Sequence, residues 1–431
     1  MIEGFSKLSK ENKISLLALN EESQSILAQA LVNSDNISSI INDLSENTIT
    51  HFALPMGVVP NVFVNGEEYF LPLVTEESSV VAAIAKAAKF WWKYGGFKAE
   101  IIGTLKKGHV HFFWRGSPEL LKGKFDNLKE FITLRIAPLN RKMKKRGAGV
   151  QDITLIDKTS ILEFYFQIEI SFETADAMGA NFINSCLEEA SKALNQFVSC
   201  DSKLSTKLLE INMSILSNYT PESKVTAQVS CKIPELNAYG DSIGVFDYSN
   251  KFIRAVQIAN IDISRAVTHN KGIYNGVDSL ALATGNDWRA IEACGHAYAS
   301  KGGSYKSLSK AWVENDYFNF MLELPIAVGT VGGITNLHPI AKIAMQILEN
   351  PNVKVLMQLM AVSGLAANFS AINALISSGI QKGHMKMHLT NILKQLRATQ
   401  QQIELANTYF VDKTISYSEV ERWLKQNNKS K

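Results

Sequence analysis

The chain has 431 residues, a formal net charge of +3 and 46% hydrophobic residues. That length exceeds what one small core organises and predicts two or three folded units with apolar content to fill them. A charge so close to balance excludes a surface built as a whole around nucleic acid or an acidic membrane, so any polyanion site must be local.

The N-terminal MIEGFSKLSKENK lacks the apolar core of a signal peptide, and the four cysteines, Cys186, Cys200, Cys231 and Cys294, lie far apart with no CxxC pair. Reduced thiols and a cytoplasmic location follow as expectations. Residues 1–96 carry a helical pattern that ends in ESSVVAAIAKAAKFWWKYGG, with Thr75 placed to cap the last helix and Gly95-Gly96 to stop it. Glu76 and Glu77 then fall at a helix start, where the dipole favours acids.

From about 98 to 233 the period changes to two. KAEIIGTLKKGHVHFFW predicts a hairpin, and SILEFYFQIEISFE puts Leu162, Phe164, Phe166, Ile168, Ile170 and Phe172 on one face of a half-buried strand. VTAQVSCKI alternates again, with Val225, Ala227, Val229, Cys231 and Ile233 inward. Helical segments near 117–138 and 182–198 separate the strands, which predicts an antiparallel sheet with helices on one face. After 234 the helical pattern returns. Gln358, Ser363, Asn368, Ser370 and Asn373 interrupt the apolar stretch 353–380, so it reads as a helix buried in protein and not as a membrane span. From Gly379 onward a small helical appendage is expected.

Four places carry chemistry. FETADAMGANFINSCLEEASKAL runs from a strand through a glycine turn into a helix, which offers free N–H groups and a positive dipole end to phosphate. One glycine is not a GxGxxG motif, and an antiparallel sheet is not a Rossmann fold. In THNKGIYNG, residues 268–276, Lys271 stands among Asn270, Gly272 and Asn275 in what reads as an exposed loop. Asp287 follows in GNDW beyond a short strand-like LALAT, so the two charges either meet in a site or form an ordinary surface pair. His384 and His388 in GHMKMH have helical i, i+4 spacing, yet the glutamate of HExxH and a third ligand are missing, so no metal is expected. NRKMKKR, residues 140–146, clusters cations that suit phosphates.

These stretches occur in a recognisable order: LSENTITHFALPMGVVPN, PLVTEESSVVAA, GAGVQDI, DAMGAN, MSILSNY, RAVTHNKGIYNGVDSLALATGNDWRA, GHAYAS, VGGITNLHP and GIQKGHM. In that order the chain resembles the 3-hydroxy-3-methylglutaryl-coenzyme A reductases, in particular the soluble bacterial class (class II). The resemblance implies an α+β fold with a large, mainly helical domain (1–103 and 218–378) for acyl-coenzyme A and dimerisation. It further implies an inserted antiparallel-sheet, ferredoxin-like cofactor domain (104–217) and a small helical flap (379–431). The implied reaction is the four-electron reduction of HMG-CoA to mevalonate and coenzyme A with two NAD(P)H, or its reverse, by a cytoplasmic homodimer with active sites at the interface. Neither a membrane nor nucleic acid is implied.

By the same resemblance Glu77, Lys271, Asp287 and His384 are catalytic. Lys271 is the cation that stabilises charge developing on the carbonyl oxygen, and His384 the acid that protonates the departing thiolate. Glu77 is the proton donor for the aldehyde, held protonated by burial and by the Asp287 carboxylate against the pull of the helix start. Asp176, Met178, Gly179, Ala180 and Asn181 face the nicotinamide cofactor; Ser79, Asn218, Arg265, Asn275 and Asn368 line the acyl pocket or support the catalytic groups. At Asn140, where an NADH-using member carries an aspartate toward the ribose, a neutral side chain followed by Arg141 and Lys142 leans to NADPH over NADH.

Departures from the family pattern are Ser78 for a proline of EEPS, Ala148 for a glycine, Ala367 for a glutamine and ENTIT around Glu46 and Asn47. None touches the four catalytic positions. The competing readings are a catalytically inactive paralogue and a local polyanion-binding protein that uses residues 140–146.

Overall fold

The computed structural model describes residues 8–29 except 18, residues 40, 41, 43, 44 and 46, then 52–240 and 244–377, and 389–427 except 391, 411, 412 and 414. His384, His388 and Asn47 lie outside the described residues.

After two short helices, α1 (Lys10–Ser15) and α2 (Glu21–Gln29), the chain makes a hairpin of β1 (Met56–Val64) and β2 (Glu67–Val74), where a helical pattern was expected. Its turn is Asn65-Gly66, both residues at positive φ, the pair that a two-residue hairpin turn requires. The helix α3 (Val80–Trp92) follows, buries Ile84, Ala87 and Trp91, and ends before Gly95 and Gly96, both at positive φ.

The expected hairpin at 98–114 does not form. β3 (Lys98–Thr104) and β4 (Lys106–Trp114) join different sheets, so at Leu105 the chain passes from one layer into another. The first sheet has the order β3-β8-β10-β9, with β8 (Ser223–Lys232), β9 (Ser309–Glu314) and β10 (Tyr317–Pro325). β9 and β10, joined at Asn315-Asp316 with both residues at positive φ, correct the all-helical expectation beyond 234. The second sheet has the antiparallel order β5-β6-β4-β7, with β5 (Gly149–Asp157), β6 (Tyr165–Glu173) and β7 (Leu209–Leu216). With α4 (Pro118–Gly123), α5 (Phe125–Lys144) and α6 (Ala180–Cys200), this is the ferredoxin-like arrangement. In β6, Phe166, Ile168, Ile170 and Phe172 are fully buried, whereas Leu162 and Phe164 precede the strand and are exposed.

Beyond single turns such as Asn237–Gly240, the later helices among the described residues include α7 (Val245–Ile261), α8 (Ile263–Ala283), α9 (Trp288–Ala299), α10 (Gly333–Leu337), α11 (Pro339–Ile347) and α12 (Val353–Ile376), then α13 (Gln400–Tyr409) and α14 (Tyr417–Asn427). Length and apolar composition alone would let α12 cross a membrane, but 72% of its most apolar window is buried inside the protein. It packs against α8, α3 and the first sheet, a helix apolar on all sides because every side meets protein. Among the described residues the apolar side chains form three large cores, one beneath the first sheet, one between the second sheet and α5–α6 and one around Leu393, Phe410 and Trp423, and a small fourth at Leu17, Ile343 and Ile347.

Candidate active site

The lysine stretch is not a loop. Residues 268–276 lie in the middle of α8, which begins where Asp262 Oδ1 accepts from the Arg265 N–H at 2.7 Å. A Cβ on Gly276 would stand 2.3 Å from the Ser363 carbonyl oxygen, so glycine is what lets α8 and α12 cross at backbone contact. Ser363 Oγ donates to the Gly276 carbonyl at 2.9 Å across that crossing. The asparagines are explained in the same way. Asn270 Oδ1 accepts from Leu308 N–H and its Nδ2 donates to the Lys306 carbonyl, which ties α8 to the loop before β9. The polar, glycine-rich composition thus reflects dense packing and not exposure.

On the outward face of the same helix the Lys271 side chain is 59% exposed and forms an ion pair with Glu77. Glu77 is not in a first helical turn as expected: it precedes α3 in a bend where its own N–H donates to Thr75 Oγ1 at 3.2 Å and Ser79 turns the chain at φ 77°. The helix start therefore does not hold this carboxylate. Asp287 is occupied elsewhere, accepting from Ala290 N–H at 3.2 Å as the N-cap of α9 and pairing with Arg289 at 3.3 Å.

Beneath Lys271 lies a buried polar chain. Ser309 Oγ donates to Asn368 Oδ1 at 2.9 Å, so His269 Nε2 is the donor to Ser309 at 2.7 Å, and Asn368 Nδ2 returns to the His269 carbonyl at 3.2 Å. Burial, then the nearby Arg265 cation, pushes the His269 imidazole down to about 3, so it stays neutral. Asn368 is 1% exposed, and its bonds brace the helix that carries Lys271. Seven residues along α8, burial and Glu292 push the Asp278 carboxyl up to about 9.

The second part of the site is the turn from β6 into α6. Gly179 sits at φ 89° as the N-cap with no side-chain cap bond, and a Cβ there would lie 2.4 Å from Thr174 Cγ2. The Asp176 carboxylate accepts from Val353 N–H at 2.9 Å and its carbonyl from Thr330 N–H at 2.8 Å, which fastens the turn to the start of α12 and to residues 329–331. Beyond it lies Gly329, whose N–H donates to Asn286 Oδ1 at 2.9 Å, beside Asp287. A cleft lined by Met178, Ala180, Asn218, Thr220, Ala290 and Cys294 separates this turn from α9, so the expected cofactor residues and the helix capped by Asp287 face each other across it. Asn181 is exposed in the first turn of α6, and Asn275 and Arg265 are half-buried on α8.

Asn140 corrects an expectation. It is 7% exposed, with Oδ1 accepting from Val150 N–H at 3.0 Å, so it is drawn inward to join α5 to β5 and not held out at the surface. Arg141 and Lys142 do point outward, in the last turn of α5. Among the described residues no group of three or more His, Cys, Asp or Glu side chains is placed to hold a metal ion. Sequence reasoning missed Lys106, which lies under the turn from β6 into α6. Its signal was present: Lys106 is in phase with Gly108, Val110, Phe112 and Trp114, the inward residues of β4.

A mixed α+β molecule in which a helix-borne lysine meets a carboxylate, and in which a glycine-capped helix start opens onto a cleft, has the frame of an oxidoreductase. The family model described as hydroxymethylglutaryl-coenzyme A reductase matches residues 11–389, and the chain belongs to that family, whose reaction is the reduction of HMG-CoA to mevalonate. It is 32% identical over 94% of its length to 89% of the 3-hydroxy-3-methylglutaryl-coenzyme A reductase of Archaeoglobus fulgidus. Identity to a probable reductase of Borreliella burgdorferi is also 32%, over 92% of this chain and 89% of that one. Among solved structures, a class II reductase from Streptococcus pneumoniae bound to NADPH in open conformations superposes with a TM-score of 0.78 at 35% identity, covering 87% of this chain and 99% of that one.

Proposed function

We propose that the chain reduces the thioester of HMG-CoA to the alcohol at a site built on Lys271, with Glu77 and His384 handling protons and Asp287, the cap of α9, as the further carboxylate of the site. The observation that carries this is the Glu77–Lys271 pair, two residues 194 apart in the sequence that meet on the exposed face of α8. Two molecules of reduced nicotinamide dinucleotide, bound in turn, would supply the two hydrides that this four-electron reduction takes. The Lys271 ammonium stabilises the negative charge that builds on the substrate carbonyl oxygen, and the buried bonds of Asn270 and Asn368 keep its helix from shifting as that charge appears. His384 protonates the coenzyme A thiolate as it leaves, and Glu77 gives its proton to the aldehyde oxygen.

The start of α6 fits a dinucleotide, because Gly179 caps it at φ 89° with no side-chain cap bond and leaves the first N–H groups of the helix to a phosphate. Met178, Gly179, Ala180 and Asn181 would hold it, with Asp176 fixing the turn. Pairing of Gly149 with Glu173 brings the end of α5, with Arg141 and Lys142, to the same edge as the turn. That favours NADPH, as does the NADPH bound by the pneumococcal enzyme. The separate cores support three domains, at 1–103 with 218–378, at 104–217 and at 379–431, that serve acyl-coenzyme A, the dinucleotide and closure. Exposed Ile258, Ile261, Ile263 and Val267 at the α7–α8 corner support a homodimer. Ser79, Asn218, Arg265 and Asn275 then serve the acyl pocket, in a cytoplasmic enzyme.

An absorbance assay with HMG-CoA and each reduced nicotinamide tests the reading: NADPH oxidation is expected to exceed NADH oxidation, and no oxidation of either overturns it. His384→Gln is expected to impair the full reaction more than the reduction of free mevaldehyde, since only the former has a thiolate to protonate; equal losses refute that role.

A further inference from the structure

We infer that Lys106 is the positioning residue of the dinucleotide turn, its buried ammonium setting the shape of residues 174–178 and fastening them to the main chain at Val328. The inference rests on the reading that this turn carries the dinucleotide.

Lys106 is 6% exposed at an inward position of β4. Its Nζ donates to Thr174 Oγ1 at 2.6 Å, to the carbonyls of Ala177 and Met178 at 3.0 Å each, and reaches the Val328 carbonyl at 3.5 Å. Three of these acceptors belong to one short turn. In a trans peptide the carbonyl and the next N–H point to opposite sides, so drawing the 177 and 178 carbonyls inward turns the N–H groups of Met178 and Gly179 away from Lys106. The Gly179 N–H continues the row of N–H donors that begins α6, while the residue before Met178 bridges to Val331 on the neighbouring segment. The Val328 contact lies next to Gly329, where a Cβ would stand 2.4 Å from the Met178 nitrogen, so the turn and this segment are in backbone contact. Lys106 also lines the cleft with Met178 and Ala180. A lysine at the inward face of a strand is costly unless its donors are satisfied, and here the satisfying groups are those of the cofactor turn.

The charged group acting on Lys106 is Glu173, at the end of β6, whose Oε2 accepts from Thr104 Oγ1 at 2.6 Å; the Thr174 hydroxyl and the three carbonyls complete its surroundings. Burial pulls the ammonium down to about 8. Below that pH it donates; above it the neutral amine holds the carbonyls less firmly.

The test is NADPH binding to the full-length protein, followed by nicotinamide fluorescence, beside steady-state kinetics. Lys106→Met is expected to raise the Kd and KM for NADPH by about tenfold or more, with the KM for HMG-CoA unchanged and kcat less affected. In the unsubstituted protein the Kd should weaken as pH rises through about 8, and in Lys106→Met it should be flat there. Thr174→Val, which keeps the shape and removes one acceptor, should weaken NADPH by roughly threefold and decides the matter if Lys106→Met does not fold. An unchanged Kd in either folded variant, or the same pH dependence in both proteins, overturns the inference. If the unsubstituted protein binds no dinucleotide, the functional reading of the turn falls and this inference with it.

Discussion

Two stretches of this chain look alike on paper, THNKGIYNG and TADAMGAN, each polar, glycine-bearing and poor in large apolar side chains. One is the middle of a helix and the other is a true turn. In the first, Gly276 keeps a helical backbone and serves an approach to Ser363; in the second, Gly179 serves a positive φ. The lesson is that glycine marks close approach or unusual torsion, and only the neighbouring chain tells which.

The comparison can be broken most forcefully at Lys271, the member proposed as catalytic. Lys271→Ala should cut turnover by about 10²–10³ and leave the fold intact, because the lost interaction is with developing charge and the side chain is 59% exposed. Near-normal turnover with NADPH, or unfolding seen in a thermal melt, would remove Lys271 from its role. Next comes the packing glycine. Gly276→Ala puts a methyl group against the Ser363 carbonyl, and the α8–α12 crossing must open; a loss of about 1–3 kcal/mol in denaturant unfolding is expected. An unaltered midpoint would mean that the helices are not held together there.

The turn glycine should behave differently. Gly179→Ala strains a left-handed backbone by roughly 1–2 kcal/mol and crowds Thr174, so NADPH affinity should fall while the KM for HMG-CoA holds. Should both substrates weaken alike, the turn is not a separate dinucleotide element. The smallest effect expected is at the end of α5. Arg141→Ala with Lys142→Ala should raise the KM for NADPH about tenfold and leave NADH nearly unchanged. Equal changes for both cofactors would return those cations to the role of a solvated helix end, where the dipole alone favours them.

Much of the site was legible because its chemistry is local. The alternation in β6, the largely apolar but polar-interrupted run of α12 and the order of the motifs around Glu77, Lys271 and Asp287 are properties of short stretches. The hairpin at Asn65-Gly66 was legible as well, from its turn pair, although the surrounding apolar pattern was read as helix. The NADPH lean survives in altered form: Arg141 and Lys142 remain at the surface, while Asn140 is drawn inward by the Val150 N–H.

The sequence by itself determined which residues could do the chemistry and which strand faces were apolar, because side-chain type and a period of two need no partner to be read. Only the tertiary structure decided that β3 and β4 part at Leu105, that Lys271 rides a buried helix, and that Lys106 lies beneath the cofactor turn. Each of these depends on a hydrogen-bond partner or a packing contact from a distant part of the chain: β8 for β3, Ser363 for Gly276, Val328 for Lys106. A residue's own neighbourhood in sequence carries no record of such partners until the chain has folded.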